Sequence, residues 1–393
     1  VTLRRLGLAA LLLASVSCGA RAQGTAPTYP QFAGEVDLRL YGVGIYDAPS
    51  RRQQGADASL RGEIAAGLHM TPDFSIQGVI HVEPIGETEP NGGLVGFRYQ
   101  ASFIENLFAD WRVRDDLRLY AGKISAPFGY GHHDFPGVLA QVRAHEAYLI
   151  GEQLGGGASW TFLSDPTLGE HDLSVAVFTL DTTALSSTAI TRKRFGAGDF
   201  ERFRRNDRDQ GGPGNTGQLD NAAIALDGDR IGVLPGFTYH LAALSRGAGR
   251  DGTAREWGYA VGARQEIRWT DTTRSLLFAE HVEFRASGGN PLAEDPETEE
   301  AVPTRGTRRF STIGVKTTHG PWHATTLWQR DRWKRTIESP GTARWVELSV
   351  GRELGWGFGL DLGWQVARAP DDESRRRRDT QAVLGMLSWR TGF

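Results

Sequence analysis

Phe358-Gly359-Leu360-Asp361-Leu362-Gly363-Trp364-Gln365-Val366-Ala367 puts Phe, Leu, Leu, Trp and Val on one parity and Gly, Asp, Gly, Gln and Ala on the other. Side chains of an extended strand point alternately to opposite faces, so this stretch reads as a strand with one apolar face and one small or polar face. The same rhythm recurs upstream. Phe74, Ile76, Gly78, Ile80 and Val82 oppose Ser75, Gln77, His81 and Glu83, and Leu60, Ile64, Ala66 and Leu68 oppose Arg61, Glu63, Ala65 and Gly67. Period alone fits a soluble sandwich as well as a membrane barrel, because both alternate.

Connection lengths separate the two. The pattern predicts strands near 35–47, 57–70, 74–84, 95–113, 117–125, 155–164, 172–181, 218–227, 236–246, 256–270, 274–286, 307–318, 322–334, 343–355, 358–369 and 379–393. Every second connection is a tight turn, as at Thr71-Pro72-Asp73, Arg114-Asp115-Asp116, Asp271-Thr272-Thr273, His319-Gly320-Pro321 and Gly355-Trp356-Gly357. The others are longer, above all 126–154, 182–217 and 287–306. Short turns alternating with long loops, an even strand number and both ends on one side describe an all-β, transmembrane antiparallel barrel of about sixteen strands, with fourteen or eighteen as the alternatives. Closure also pairs every backbone amide, which an open sheet in hydrocarbon would leave bare.

Composition agrees with that plan. Mean hydropathy is −0.37 and no apolar run beyond the first residues approaches helix-spanning length, yet there are 50 glycines and 11 tryptophans; a barrel whose alternate residues alone meet lipid has such averages. The net charge of −3 excludes a strongly basic nucleic-acid binder. Trp111, Trp269, Trp322, Trp345, Trp356 and Phe358 fall near strand ends, where aromatic girdles meet membrane interfaces.

At the start, Arg4 and Arg5 precede an apolar run over 6–16 and the small-residue site Ala20-Arg21-Ala22, so residues 1–22 read as a secretory signal peptide. The single cysteine, Cys18, lies before that site, which leaves the mature chain without a thiol; lipidation at Ser15-Val16-Ser17-Cys18 is the alternative, although Ser15 stands where a lipobox usually carries Leu. Residues 23–34 are then a lead-in and 35–393 the barrel.

Parity assigns the interior. Arg61, Glu63, Asp110, Arg112, Arg118, Arg264, Glu266, Arg268, Glu347 and Asp361 oppose apolar partners and so point inward. A dry core would pay several kcal/mol for each unpaired ion, whereas a water-filled lumen removes that cost. Glu280 and Arg352 fall on apparently outward parity. The loop 126–154 is the third long connection and carries a helical stretch over 137–150. Folded inward it forms a constriction from His132, His133, Asp134, Arg143, His145 and Glu146, facing Arg61, Arg112, Arg118 and Arg264 on the wall.

The stretch Leu117-Arg118-Leu119-Tyr120-Ala121-Gly122-Lys123-Ile124-Ser125-Ala126-Pro127-Phe128-Gly129 resembles porins of the phosphate-selective O/P type, in which a strand ending in Gly-Lys leads through Pro-Phe-Gly to the third loop. The resemblance covers this stretch closely and the rest as architecture. It implies an outer-membrane porin, with Lys123 among the pore-lining residues if the alternation is reset at the strand end, and trimeric assembly. It does not carry phosphate over as substrate, because the relatives line their channels with several lysines and this chain has Lys123 alone near the motif. The last residues, Leu387-Ser388-Trp389-Arg390-Thr391-Gly392-Phe393, resemble the C-terminal signal read by the barrel assembly machinery.

Function follows as passive diffusion of small hydrophilic solutes or ions, with lipid and lipopolysaccharide as neighbours. The arginines at 192–194, 202–208 and 375–378 would meet lipopolysaccharide phosphates or anionic solutes, or lie solvated among nearby acids. A plugged structural or adhesive barrel and an outer-membrane hydrolase are the alternatives. Enzyme and cofactor signals are thin: no nucleophile elbow, phosphate-cradling loop or zinc motif occurs, and His132-His133-Asp134 and His145-Glu146 lack a fixed i,i+4 ligand pair.

Overall fold

The computed structural model describes residues 28–86, 90–189, 205–206, 212–250, 253–286, 293–294, 301–302, 306–334, 340–369 and 378–393. The alternating segments form sixteen long strands: β1 (Gln31–Asp47), β2 (Gly55–His69), β3 (Phe74–Pro84), β4 (Gln100–Arg114), β5 (Leu117–Ile124), β6 (Gln153–Asp165), β7 (Gly169–Leu180) and β8 (Asn221–Asp229), then β9 (Phe237–Arg246), β10 (Glu256–Arg268), β11 (Thr273–Arg285), β12 (Thr307–His319), β13 (Trp322–Lys334), β14 (Gly341–Gly355), β15 (Phe358–Ala369) and β16 (Arg378–Gly392). Each pairs antiparallel with the next, and β16 returns to β1 in a register running from Glu35↔Gly392 to Asp47↔Gln381. The sheet is thus a closed ring.

The terminal residue is stapled into the first strand. Gly34 and Phe393 exchange backbone hydrogen bonds of 3.0 Å in both directions, and the rings of Phe32 and Phe393 lie 5.5 Å apart. Residues 31–34, expected in a lead-in, therefore belong to the barrel. The strand expected over 95–113 is two pieces. Leu94–Gly96 runs parallel to β2 beside Ala56 to Ala58, and β4 begins only at Gln100. Between them Phe97 and Tyr99 have φ of 54° and 58°, a left-handed conformation that ends an extended run. The segment at 1–22 lies outside the described residues, as do the arginine clusters, apart from Arg205 and the backbone of Arg378.

Leu40, Ile80, Val177, Leu241, Ile313 and Leu362 are exposed on the outer surface. So continuous a belt of exposed aliphatic residues would promote association in water and is instead the surface a membrane covers. Trp111, Trp269, Trp322, Trp356 and Phe358 are exposed near the turn end of this belt. Arg352 faces outward there with its guanidinium 4.9 Å from the Trp322 ring, an interface position. Trp345 departs from the expected girdle. It shares the inward parity of Glu347 and packs on the interior cluster.

One irregularity matters for the interior. Val79 pairs with Asn106 and Ile80 with Ile104, which leaves Glu105 as the extra residue of a bulge in β4. Below it Asn106, Phe108 and Asp110 face inward; above it the parity switches to Phe103 and Ala101, and Glu105 and Asn106 are both buried.

The closed strand ring predicts a strand-dominated circular dichroism spectrum for detergent-folded protein and faster gel migration before boiling than after. A helical spectrum, or identical migration in both samples, would refute the architecture.

Candidate functional site

The third loop enters the lumen because the wall lets it leave. Gly122, near the end of β5, has φ of +143°, and a Cβ there would stand 2.4 Å from the Leu107 carbonyl oxygen, so only glycine permits both this backbone conformation and the close approach. The neck is then closed by the Ala126 N–H donating to the Ile150 carbonyl at 2.9 Å. Inside, the loop forms two helices, α1 (Gly131–Asp134) and α2 (Ala140–Tyr148).

Apolar contact holds one side of the loop. Ala140, Ala144 and Tyr148, spaced four apart, bury one stripe of α2, and Phe128 and Phe135 are buried with them against Phe278, Phe284, Phe310 and Leu327 of β11 to β13. Fully burying each large side chain stabilises by roughly 1.5–3 kcal/mol, so this cluster is a main driving force for infolding. Tyr130 lies flat against β10, where a Cβ on Gly262 would come 2.1 Å from its ring. A smaller cluster joins Val138 to Tyr41, Leu384 and Met386 across the β1–β16 seam. The interior is therefore partly apolar and aromatic, where strand parity suggested a small or polar face.

Two wall carboxylates take up the loop's loose donors. Glu280 accepts from the backbone N–H groups of Tyr130 at 2.8 Å and Gly131 at 2.9 Å, and from the Tyr148 hydroxyl. Burial, and then the Glu280 charge, hold the Tyr148 hydroxyl well above its ordinary pKa, so it stays protonated and donates. Glu347 accepts from the N–H groups of Val138 and Leu139, which precede α2, and pairs with the Arg143 guanidinium at 2.8 Å. Helix N-termini expose unsatisfied N–H groups with a partial positive charge, so a carboxylate there is doubly suited. Arg143 also donates to Gln329 and Gln365 and lies 5.5 Å from the Trp345 ring. His240 accepts from the Gly129 N–H at 3.0 Å through Nε2 while its Nδ1 faces Asp227 at 2.7 Å.

The other side of α2 meets β1 to β3 through charge. Arg39 donates to Gln141 and pairs with Asp37 at 2.8 Å; Arg61 bridges Glu83 at 3.0 Å and Glu146 at 2.9 Å. His145 stacks on His81, ring centroids 5.2 Å apart, beside Glu105. Near α1, Asp134 pairs with Arg264 at 2.9 Å, and that guanidinium lies 4.1 Å from the Tyr130 ring.

The expected residues thus divide. Arg61, Asp134, Arg143, His145, Glu146 and Arg264 meet where the loop touches the wall. Arg112 and Arg118 do not: Arg112 pairs with Asp73 in the β2–β3 turn at 2.6 Å, and Arg118 with Asp110 at 2.9 Å, because their low position on β4 and β5 puts them toward the turn end, away from the loop. Lys123 is fully buried, its ammonium 3.1 Å from both Glu152 and Asp181 and 2.8 Å from the Leu185 carbonyl, and so lines no passage. His132 and His133 lie on α1, and their side chains are outside the described residues.

Glu280, Arg39, Gln329 and Gln365 escaped sequence reasoning as loop partners. Glu280, on apparently outward parity in the sequence, shares a face with Phe278, Val282 and Phe284, and that face packs under the loop. The available signal was the acid itself, since a carboxylate on an otherwise apolar strand face must have donors waiting for it.

Replacing Glu280 by Ala removes one acceptor from three buried donors, at about 1–3 kcal/mol for each group left unsatisfied. The expected outcome is a folded barrel whose 126–152 segment is cut by protease at far lower doses than in the parent chain. Unchanged cleavage would show that the apolar cluster alone fixes the loop.

No protein-family model and no curated relative matches the chain. Among solved structures, that of Pseudomonas putida OprB at high pH superposes with a TM-score of 0.60 at 11% identity, covering 92% of this chain and 94% of that one. The outer membrane channel DcaP of Acinetobacter baumannii superposes with a TM-score of 0.54 at 12% identity, over 92% and 96% of the two chains. At such identities the likeness is one of fold, and the chain has the architecture of these outer-membrane barrels over nearly its whole length.

Proposed function

We propose that this chain is an outer-membrane porin through which small hydrophilic solutes or ions diffuse passively. The observation that carries the reading is the loop-to-wall junction at α2. Asp37, Arg39, Arg61 and Glu83 of the wall keep part of their side-chain surface exposed and Glu146 of the loop keeps more than half, so charges of both signs border the space between α2 and β1 to β3. Such a passage sets a transverse field across a narrow aqueous gap with low-dielectric walls, where a few fixed charges act strongly. Weak ion selectivity follows from the near balance of sign.

The resemblance of residues 117–129 to O/P-type porins supports a general porin, and the burial of Lys123 between two carboxylates argues against that lysine as an anion site. Lipid and lipopolysaccharide surround the apolar belt in this reading, Phe393 serves recognition by the assembly machinery, and trimers are the expected assembly by resemblance. A plugged structural barrel is the second reading, favoured by apolar packing of the loop on both β11–β13 and the β1–β16 seam.

Planar-bilayer recording separates the two. The porin reading expects stepwise conductance that rises when residues 131–147 are deleted; a folded, inserted barrel that never conducts would make the plugged reading correct. Neutralising Arg39 and Arg61 together should shift selectivity toward cations more than neutralising Arg112 and Arg118, which sit away from the loop. The reverse order would move the passage to the turn end of the barrel.

A further inference from the structure

The bulge in β4 places Glu105 beside two histidines that come from a neighbouring strand and from the infolded helix. One ligand atom each from His81, Glu105 and His145 lies within 4.8 Å of the others, and His81 Nδ1 is 3.0 Å from Glu105 Oε2. We propose that His81, Glu105 and His145 form a Zn²⁺ site that locks the third loop to the β3–β4 wall.

Two imidazoles and a carboxylate are a donor set that suits zinc, which takes N and O ligands at about 2.0–2.2 Å and accepts a fourth position from water. Tetrahedral donors at that length stand about 3.4 Å apart, a spacing that lies between the 3.0 Å of the His81–Glu105 pair and the 4.8 Å that bounds the cluster. His145, which rides on a loop helix, is the least buried of the three ligands.

The surroundings also match. The other oxygen of Glu105 is approached by the Asn106 amide at 3.3 Å and the Ser125 hydroxyl at 3.4 Å, which orient the carboxylate. His81 Nε2 faces Glu83 at 3.5 Å, the carboxylate–imidazole arrangement that fixes a ring for metal binding through its second nitrogen. Glu63 adds a carboxylate 3.6 Å from His81 Nδ1, and Arg61 compensates Glu83 and Glu146 together. Glu83 and Glu146 thus share the Arg61 guanidinium, while Glu63, Glu83 and Glu105 face the His81 ring, where a dication would take the place of an imidazole proton.

The site would act as a removable clasp. With zinc bound, α2 is cross-linked to two strands and the gap beside Arg61 is fixed in width; without it, the same residues hold the loop by hydrogen bonds and ion pairs alone.

The test uses the untagged full chain folded in detergent and stripped with a chelator, then equilibrated with Zn²⁺ and passed through gel filtration for elemental analysis. One zinc per chain is expected, and Co²⁺ in its place should give the intense visible absorption of a tetrahedral ion. His145→Ala is the decisive variant, because His145 lies on the loop and its loss leaves the strand wall intact; heat-modifiable migration verifies that the barrel has formed. It should abolish stoichiometric retention, as should Glu105→Gln, while Glu83→Gln weakens binding about 10–100-fold and the exposed His281→Ala changes nothing. Absence of stoichiometric zinc in the parent chain, or full retention in His145→Ala, overturns the site. The readout is metal content, so it is independent of whether the lumen conducts.

Discussion

Hydrocarbon offers no partner for a peptide group, and the whole architecture depends on that. Each N–H and C=O within the apolar belt must bond to another strand, so the sheet has to close on itself, and the pairing of β16 with β1 meets the requirement. Once the ring is shut, every strand has one face toward lipid and one toward the lumen, and the period-two pattern of the sequence is the imprint of that division. The turn and loop ends follow from the same antiparallel alternation.

The lumen obeys the opposite rule. Water or polar partners are available there, so charges can be placed on the wall if something compensates them. In this chain the third loop supplies much of the compensation: its backbone donors go to Glu280 and Glu347, its Arg143 to Glu347, its Asp134 and Glu146 to Arg264 and Arg61. The Arg143–Glu347 pair is removed from solvent, so losing Arg143 would leave Glu347 buried and poorly compensated, whereas Asp134 and Glu146 keep enough exposure that their pairs contribute less. The apolar cluster under α2 provides the adhesion and the carboxylates set the position.

Much of the wall was legible in the sequence because strand parity is a local property. The segment 322–334 was bounded to the residue, and the inward placement of Arg61, Arg264 and Glu347 needed only a count along one strand. What failed was whatever depended on a second segment. Phe278, Val282 and Phe284 look the same whether they meet lipid or a loop, so the parity of Glu280 reads as apparently outward although its side chain is buried inside. The bulge at Glu105 is a mismatch between two strands and cannot be seen in either alone. Arg112 and Arg118 were given the right face and the wrong height, because parity says nothing about depth. His81, Glu105 and His145 carry no motif spacing, since their proximity is made by a wall strand, a bulge and a loop.

The seam between β1 and β16 joins the first described strand to the last: Leu40 sits opposite Leu387, and the backbone of Gly34 opposite that of Phe393. Every other strand of the ring is enclosed between those partners, so this contact spans a very large sequence separation. Its loop-closure entropy must be met before the ring yields any stabilisation, and every intermediate short of the final residue carries two bare strand edges. Long-range closure of this kind is expected to slow folding of the chain and to leave the open edges free to pair with neighbouring chains in the meantime. Its kinetic safety therefore rests on escort until the last strand is in place, and a deletion of only a few C-terminal residues would be felt first as aggregation and only then as lost stability.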